Sequence, residues 1–427
     1  MVKKAAVLGI HLLDQQRGPI HVGTLTRDTS GAVAFAVAES YIQDTARPNL
    51  SLGWYDPLDD EATRQRLSAR GDKISLHGSL PPWFSGLLPE GALRDLVLTE
   101  MGPGDHDQFD VLARLGADLP GAIMVTPETE LSTSAGPIDL TSVKGFKAVQ
   151  PKGLVKFSLA GVQLKFAANL EGERLTMPGS GDSGRCIIKV ASDRYPNLPE
   201  AEFGAMQLAR LAGVNIAACR LMPRTSISGV PEELLAHGDQ VLVVDRFDRG
   251  PDDSRIHIED AAQIIGAIGD RKYTMGTTET VINMIGRFST DRRGDILEAI
   301  RRVVVDVLVG NGDNHLKNWS FIFPEPGAVR LSPAYDIVPT VMFMPRDTMA
   351  LRFVRTHDFH AVNLHRFERL ASFLRFDPKW ILREVRATVK KARDAWPAAA
   401  IELFGDTRAK TFLDRMESLP LVHESIT

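Results

Sequence analysis

Gly310-Asn311-Gly312-Asp313-Asn314-His315-Leu316-Lys317-Asn318, followed by Ser332-Pro333-Ala334-Tyr335-Asp336, decides how this chain is read. Two carboxylates and an amide stand there in a spacing suited to organising magnesium and a nucleotide phosphate. Asp313 and Asn318 have the D-x-x-x-x-N separation in which, during phosphoryl transfer, an aspartate handles the acceptor hydroxyl and an asparagine a metal ion. Asp336 would supply a second metal-holding carboxylate. A short loop rich in Asn, Gly and Asp is by itself an ordinary turn, so the flanks matter. The upstream run Val303-Val304-Val305-Asp306-Val307-Leu308-Val309 is apolar enough to be buried, which sets the polar loop against a core element. Phe321-Ile322-Phe323 reads as a short strand, a turn follows at Pro324 to Gly327, and another short apolar segment leads to Asp336. Loop, hairpin and metal aspartate in that order suit a site beneath a nucleotide cleft.

A chain of 427 residues is long for one core and suits two or three domains. With 44% hydrophobic residues and interspersed charges it reads as a folded protein. The formal charge of -4 gives no whole-chain reason to expect nucleic acid, although a local basic patch stays open. Two cysteines, Cys186 and Cys219, are too few for a disulfide framework or a four-thiolate metal site. A cytoplasmic location is expected. Near the start, His11 interrupts the apolar stretch after Lys3-Lys4, and Asp14-Gln15-Gln16-Arg17-Gly18-Pro19 reads as a hairpin turn and not as a cleavage site. No apolar run reaches the roughly 18 residues of a membrane helix.

Residues 5 to 36 alternate short apolar runs with turns at Gly18-Pro19 and Asp28 to Gly31, the pattern of a small antiparallel sheet. A helix is expected from Ala92. The composition between Gly121 and Pro151 marks a domain junction. Beyond it, strands are expected over Val155 to Ala168 around a tight turn at Gly161, over Arg185 to Val190, and over Val241 to Val244. Glu200 to Ala212 is expected to be a helix with Phe203, Met206, Gln207, Leu208 and Leu211 on one face. Past Ile258 the chain turns mainly helical. The expected fold class is α+β, bilobal and protein-kinase-like, with a β-rich N-terminal domain over 1–135, an N-lobe over 136–248 and a helical C-lobe over 249–427.

Strand alternation can place Lys189 in the cleft, where an ammonium can hold phosphate oxygens; an exposed lysine on an edge strand is the alternative. Glu202 on the next helix is its candidate partner and Glu200 a competitor. Gly179-Ser180-Gly181-Asp182-Ser183-Gly184 fits G-x-G-x-x-G, but Lys189 follows only five residues after Gly184 and Asp182 would sit inside an anion-binding loop, and a hairpin turn explains these glycines equally well. The alternative phosphate cradle is Phe157-Ser158-Leu159-Ala160-Gly161-Val162-Gln163-Leu164-Lys165, where Gly161 permits a tight turn and backbone amides can face phosphate. Backbone groups from Val244 to Phe247, Asp245 and Phe247 among them, are placed to read adenine. His257-Ile258-Glu259-Asp260 reads as scaffold, with Asp260 capping a helix. His315 has no clustered histidines or thiolates beside it that would make a zinc site.

Taken together, these separated motifs resemble the HipA family of bacterial serine/threonine kinases, the toxins of type II toxin-antitoxin systems. The resemblance runs through the Ser158 segment, Ile187-Ile188-Lys189, Glu200-Ala201-Glu202-Phe203, Val244-Asp245-Arg246-Phe247-Asp248, His257-Ile258-Glu259-Asp260, Asn311 to Asn318 and Ala334-Tyr335-Asp336. Leu87-Leu88-Pro89-Glu90-Gly91 in the N-terminal domain belongs to it as well. It implies ATP and Mg2+ as cofactors, Asp313 as the aspartate that orients the acceptor hydroxyl, Asn318 and Asp336 as magnesium ligands, and Lys189 as the phosphate-contacting lysine. Ser158 corresponds to the family's autophosphorylated serine, whose added charge disfavours the active loop. The implied partners are a helix-turn-helix antitoxin of the HipB type, operator DNA through that antitoxin, and a protein substrate such as an aminoacyl-tRNA synthetase; no membrane is involved. Leu164 and Phe166 stand where the family often carries a polar residue and a threonine. The alternatives are a small-molecule kinase and a nucleotide-binding co-repressor scaffold with little turnover.

Overall fold

The computed structural model describes residues 3–129, 163–178 and 183–426. Strand pleating organises its first part: β1 (Ala6–Asp14), β2 (Gly18–Arg27), β3 (Val33–Val37), β4 (Ile74–Ser75) and β5 (Ile123–Pro127) form an antiparallel sheet in the order β4-β3-β2-β1-β5. Leu8, Ile10 and Leu12 recur at every second position and share a core with Phe35, Trp54, Trp83, Phe84 and Phe109. The Asp28 carboxylate fixes the second turn by accepting the N–H groups of Ser30 (2.8 Å) and Ala32 (3.0 Å). The small sheet expected over residues 5 to 36 is present, and β5 joins it from far along the chain. The expected junction at 135 lies outside the described residues.

A second sheet runs β10-β7-β6-β8-β11-β9, from β6 (Lys165–Glu171), β7 (Arg174–Thr176), β8 (Cys186–Lys189), β9 (Cys219–Pro223), β10 (Ile227–Ser228) and β11 (Gln240–Asp245). Cys186, Ile188 and Val190 join Leu164, Phe166, Ala168, Val241 and Val243 in a core on one face. The period of two then leaves Ile187 and Lys189 facing the cleft. Leu164 and Phe166, the two departures from the family pattern, are thus core residues. Helix Gly91–Glu100 adds Ala92 and Leu96 to the same core, tying the N-terminal domain to this lobe.

Helix Leu198–Leu211 covers the other side of the sheet, close to the expected bounds. Its buried face needs a correction: Leu211 is 44% exposed, while Leu198, Ala201, Ala205, Met206, Leu208 and Ala209 are buried. The alanines allow close approach to helix Pro378–Phe404, whose Trp396 Nε1 donates to the Leu208 carbonyl at 2.9 Å.

Below the cleft, β12 (His257–Asp260), β13 (Ser320–Phe323) and β14 (Arg330–Leu331) form a small sheet, and the remainder is mainly helical. The valine run is the end of helix Arg292–Val309; Val304, Val305, Val307, Leu308 and Val309 are fully buried. Each such side chain stabilises the lobe by about 1.5–3 kcal/mol. Gly310 ends the helix with φ of +75°, a conformation glycine adopts without strain. No helix among the described residues is long and apolar enough to cross a membrane.

Candidate active site

The loop after Gly310 is held from several sides. Gly312 donates its N–H to Thr340 Oγ1 at 2.8 Å, and Asn318 Nδ2 donates to the Asp313 carbonyl at 3.0 Å. The Asp313 carboxylate accepts the Tyr273 hydroxyl at 2.9 Å. The segment leading to Asp336 is clamped separately, because Ala334 exchanges hydrogen bonds with Asn215 and Ala217, both at 2.8 Å. Asp336 then adopts φ of +55°, a left-handed conformation uncommon outside glycine. Such backbone persists where surrounding contacts over-determine it.

Lys189 donates to Glu202 Oε1 at 2.5 Å and to Asp336 Oδ1. Burial pulls the Lys189 ammonium below its ordinary pKa and the Glu202 carboxylate opposes that pull. Lys165 Nζ lies 3.7 Å from Asp336 Oδ2. Gln163, Lys165, Lys189, Glu202, Asp313, Asn318 and Asp336 thus surround one small recess. Glu200 is not a partner of Lys189; burial pushes its carboxyl up, and one of its oxygens has no hydrogen-bond partner among the described residues. The oxygens of Asn318 and Asp336 are hard donors, the type that together with phosphate and water completes a magnesium shell.

A larger cavity of about 390 Å³ opens beside that recess. Ala167, Ile187 and Lys189 roof it, residues 244–248 back it, and Ser320, Tyr335 and Asp336 form its floor. Leu87, Leu88, Pro89, Leu115 and Leu119 of the N-terminal domain close the front. Its size and apolar walls suit a nucleoside. Asp245 borders it, but its carboxylate pairs with Arg220 at 2.9 Å and its N–H goes to the Ala218 carbonyl at 2.8 Å. The Arg246 N–H is likewise taken by the Arg185 carbonyl at 2.9 Å, which narrows the backbone groups left for a base edge. Phe247 packs against Tyr335 with ring centroids 5.6 Å apart. Ser158, Ala160, Gly161 and Val162 lie outside the described residues, as does most of the glycine-rich stretch from Gly179.

The scaffold reading of residues 257–260 holds. Asp260 caps helix Ala261–Ile265 through the Gln263 N–H, and His257 Nε2 meets the Leu50 carbonyl at 2.9 Å, with burial lowering its pKa to about 4. The partners of several groups carried no signal in local sequence. Glu259 accepts Ser51 Oγ (2.5 Å), the Leu52 N–H (2.7 Å) and Trp83 Nε1 (2.8 Å), all from the N-terminal domain. Asp118 receives Arg246 (2.8 Å) and Arg249 (3.0 Å) across the same seam. Glu90, in the Leu87 segment, pairs with Lys272 (2.6 Å) and with Lys317 of the catalytic-type loop (3.3 Å). Tyr273 lies 40 residues before Asp313, and only the fold joins them.

A strand-rich lobe and a helical lobe face each other across a cleft holding a lysine–glutamate pair, which defines a bilobal kinase-like protein. The HipA N-terminal domain matches residues 17–126, and the HipA-like C-terminal domain matches residues 157–396. Y4dM of Sinorhizobium fredii is 37% identical, with 92% of each chain covered. The serine/threonine-protein kinase toxin HipA of Shewanella oneidensis is 26% identical over 78% of this chain and 76% of its own. The solved complex of the Shewanella oneidensis MR-1 toxin-antitoxin system HipA, HipB and operator DNA contains a chain of the same fold, with TM-score 0.73, 20% identity, and coverage of 98% of this chain and 99% of that one. This chain belongs to the HipA family.

Proposed function

We propose that this protein is an ATP- and magnesium-dependent serine/threonine protein kinase acting as the toxin of a type II toxin-antitoxin system. The observation that carries the reading is the convergence of Lys189, Glu202, Asp313, Asn318 and Asp336 on one recess beside a nucleoside-sized cavity. Lys189 would hold phosphate oxygens and Glu202 would keep it oriented. Asn318 and Asp336 would hold magnesium, which supplies charge neutralisation at the transferring phosphate. The acceptor oxygen bonds to the γ-phosphorus as the bond to the β–γ bridging oxygen breaks and ADP leaves. The hydroxyl proton passes to Asp313.

Membership of the HipA family supports the finer assignments. The acceptor is a protein hydroxyl, such as one on an aminoacyl-tRNA synthetase, and Ser158 is autophosphorylated. A helix-turn-helix antitoxin restrains the kinase and carries it to operator DNA. The domains divide near 135 and 248.

The test is incubation of purified, dephosphorylated protein with radiolabelled ATP and magnesium, alongside Asp313→Asn, with phosphosites located by mass spectrometry. Label at Ser158 that disappears in the variant is expected. Nucleotide binding without any transfer would point to the co-repressor scaffold; transfer to a small acceptor alone would point to a metabolite kinase.

A further inference from the structure

Asp306 interrupts the valine run with a carboxylate that is only 7% exposed. It occupies the last turn of helix Arg292–Val309, where the helix dipole disfavours negative charge. Burial pushes its carboxyl up to about 7, against the opposing pull of the Asn311 and Asn314 amides. By helix energetics alone this position is unfavourable for an aspartate, so its contacts should reveal another use.

Those contacts all lead to the loop. The Asp306 backbone carbonyl accepts the N–H groups of Gly310 (2.9 Å) and Asn311 (2.8 Å). Its Oδ1 accepts Asn311 Nδ2 at 2.8 Å, and its Oδ2 accepts Asn314 Nδ2. Asn311 then turns its own Oδ1 to the Asp313 N–H at 3.2 Å. The two amides therefore flank Asp313 in sequence and are fixed by one carboxylate. The buried cation whose charge acts on Asp306, Arg302, is engaged by Glu298 at 3.1 Å and by the Ser332 carbonyl at 2.5 Å.

We infer that Asp306 is a positioning residue for Asp313, acting through Asn311 and Asn314. The inference rests on reading Asp313 as the group that takes the acceptor proton. An aspartate at 306 is needed because both of its partners present amide N–H groups. Asparagine there would set an N–H against an N–H on one arm and force one amide to turn away.

The polarity of the relay supplies its test. Asp306→Asn breaks one arm, whereas Asp306→Asn combined with Asn311→Asp rebuilds both. In that double variant the amide N–H now at position 306 would donate to the carboxylate now at position 311. The second oxygen of that carboxylate would still accept the Asp313 N–H, while the amide oxygen at position 306 would still accept Asn314. We expect Asp306→Asn to lower kcat by about 10- to 100-fold, the scale of an ångström-sized misplacement, with the KM for ATP within about twofold. The double variant should recover at least about tenfold.

Hydrogen–deuterium exchange across residues 310–318 reads the same relay without turnover. It should quicken in the single variant and return toward wild type in the double. Wild-type kcat and exchange in Asp306→Asn would overturn the inference. So would a loss that follows a global fall in Tm and is not restored by the swap. If wild type transfers no phosphate, or Asp313→Asn transfers normally, the functional reading fails, and exchange alone still decides whether Asp306 sets the loop.

Discussion

At one end of the cleft, Lys189 is packed between the carboxylates of Glu202 and Asp336, with Asp313 and Asn318 on the same recess. At the other end, Leu87, Leu88, Leu115, Leu119 and Met177 present a mostly apolar surface around about 390 Å³. The first end concentrates charge where desolvation makes it costly, offset by Lys189 between Glu202 and Asp336 and by the Tyr273 hydroxyl on Asp313. The second end has little polar recognition to offer and acts by excluding water from whatever fills it. Chemistry and binding are therefore separated along one cavity, and substitutions at the two ends should fail differently.

Asp313→Asn should give the largest effect: a loss of about 10²–10⁴-fold in phosphoryl transfer, as for removal of a general base. Nucleotide affinity, measured by titration calorimetry, should stay within a few-fold. A parallel collapse of affinity would erase the separation between the two ends. Lys189→Met should come next, because it leaves Glu202 buried without its cation and Asp336 with only the more distant Lys165. Denaturant unfolding should show about 3–5 kcal/mol of destabilisation. Lys189→Met/Glu202→Gln should lose less, and equal losses would show that the pair is not coupled.

A smaller effect is expected at the apolar end. Met177→Ala removes part of the wall and should weaken ATP binding by about three- to tenfold, near the transfer energy of one or two methylenes, while kcat holds. An unchanged KM would mean that the wall does not contact the nucleoside.

The remaining effect, a pH dependence, concerns the seam behind the cleft. Burial pushes Glu259 up to about 7 from its ordinary 4.5, although Ser51, Leu52 and Trp83 all donate to it. Between those two values the folded protein holds a proton that the unfolded chain has released, so this contribution to stability is lost as pH rises through the window and is level above it. Tm measured from about pH 5 to 8 should show wild type losing ground to Glu259→Gln. A constant difference would mean that Glu259 is already ionised at the lower pH.

The seam also shows why some of these groups are legible in local sequence and others are not. Lys189 and Asp336 could be read locally, since a lysine in a short apolar strand and an aspartate after a hairpin each carry their own context. Glu90, Asp118 and Glu259 could not, because their partners lie 227, 128 and about 208 residues away. Asp306 falls between these cases. A lone carboxylate in a valine run signals a buried, partnered acid, but the partners themselves needed the folded loop. Leu211 is exposed against expectation because helical periodicity gives an apolar arc without saying which part a neighbouring helix will cover.

What the sequence determined by itself was the set of pieces: alternating strands, the buried valine run, and the Asp313, Asn318 and Asp336 spacing, all fixed by local periodicity and residue chemistry. The tertiary structure alone decided which pieces meet. Lys189 reaches Asp336 across 147 residues, Tyr273 reaches Asp313, and the Leu87 segment closes the cavity. These contacts depend on how three sheets and a helical lobe pack, a long-range outcome of burying apolar faces that no local pattern specifies.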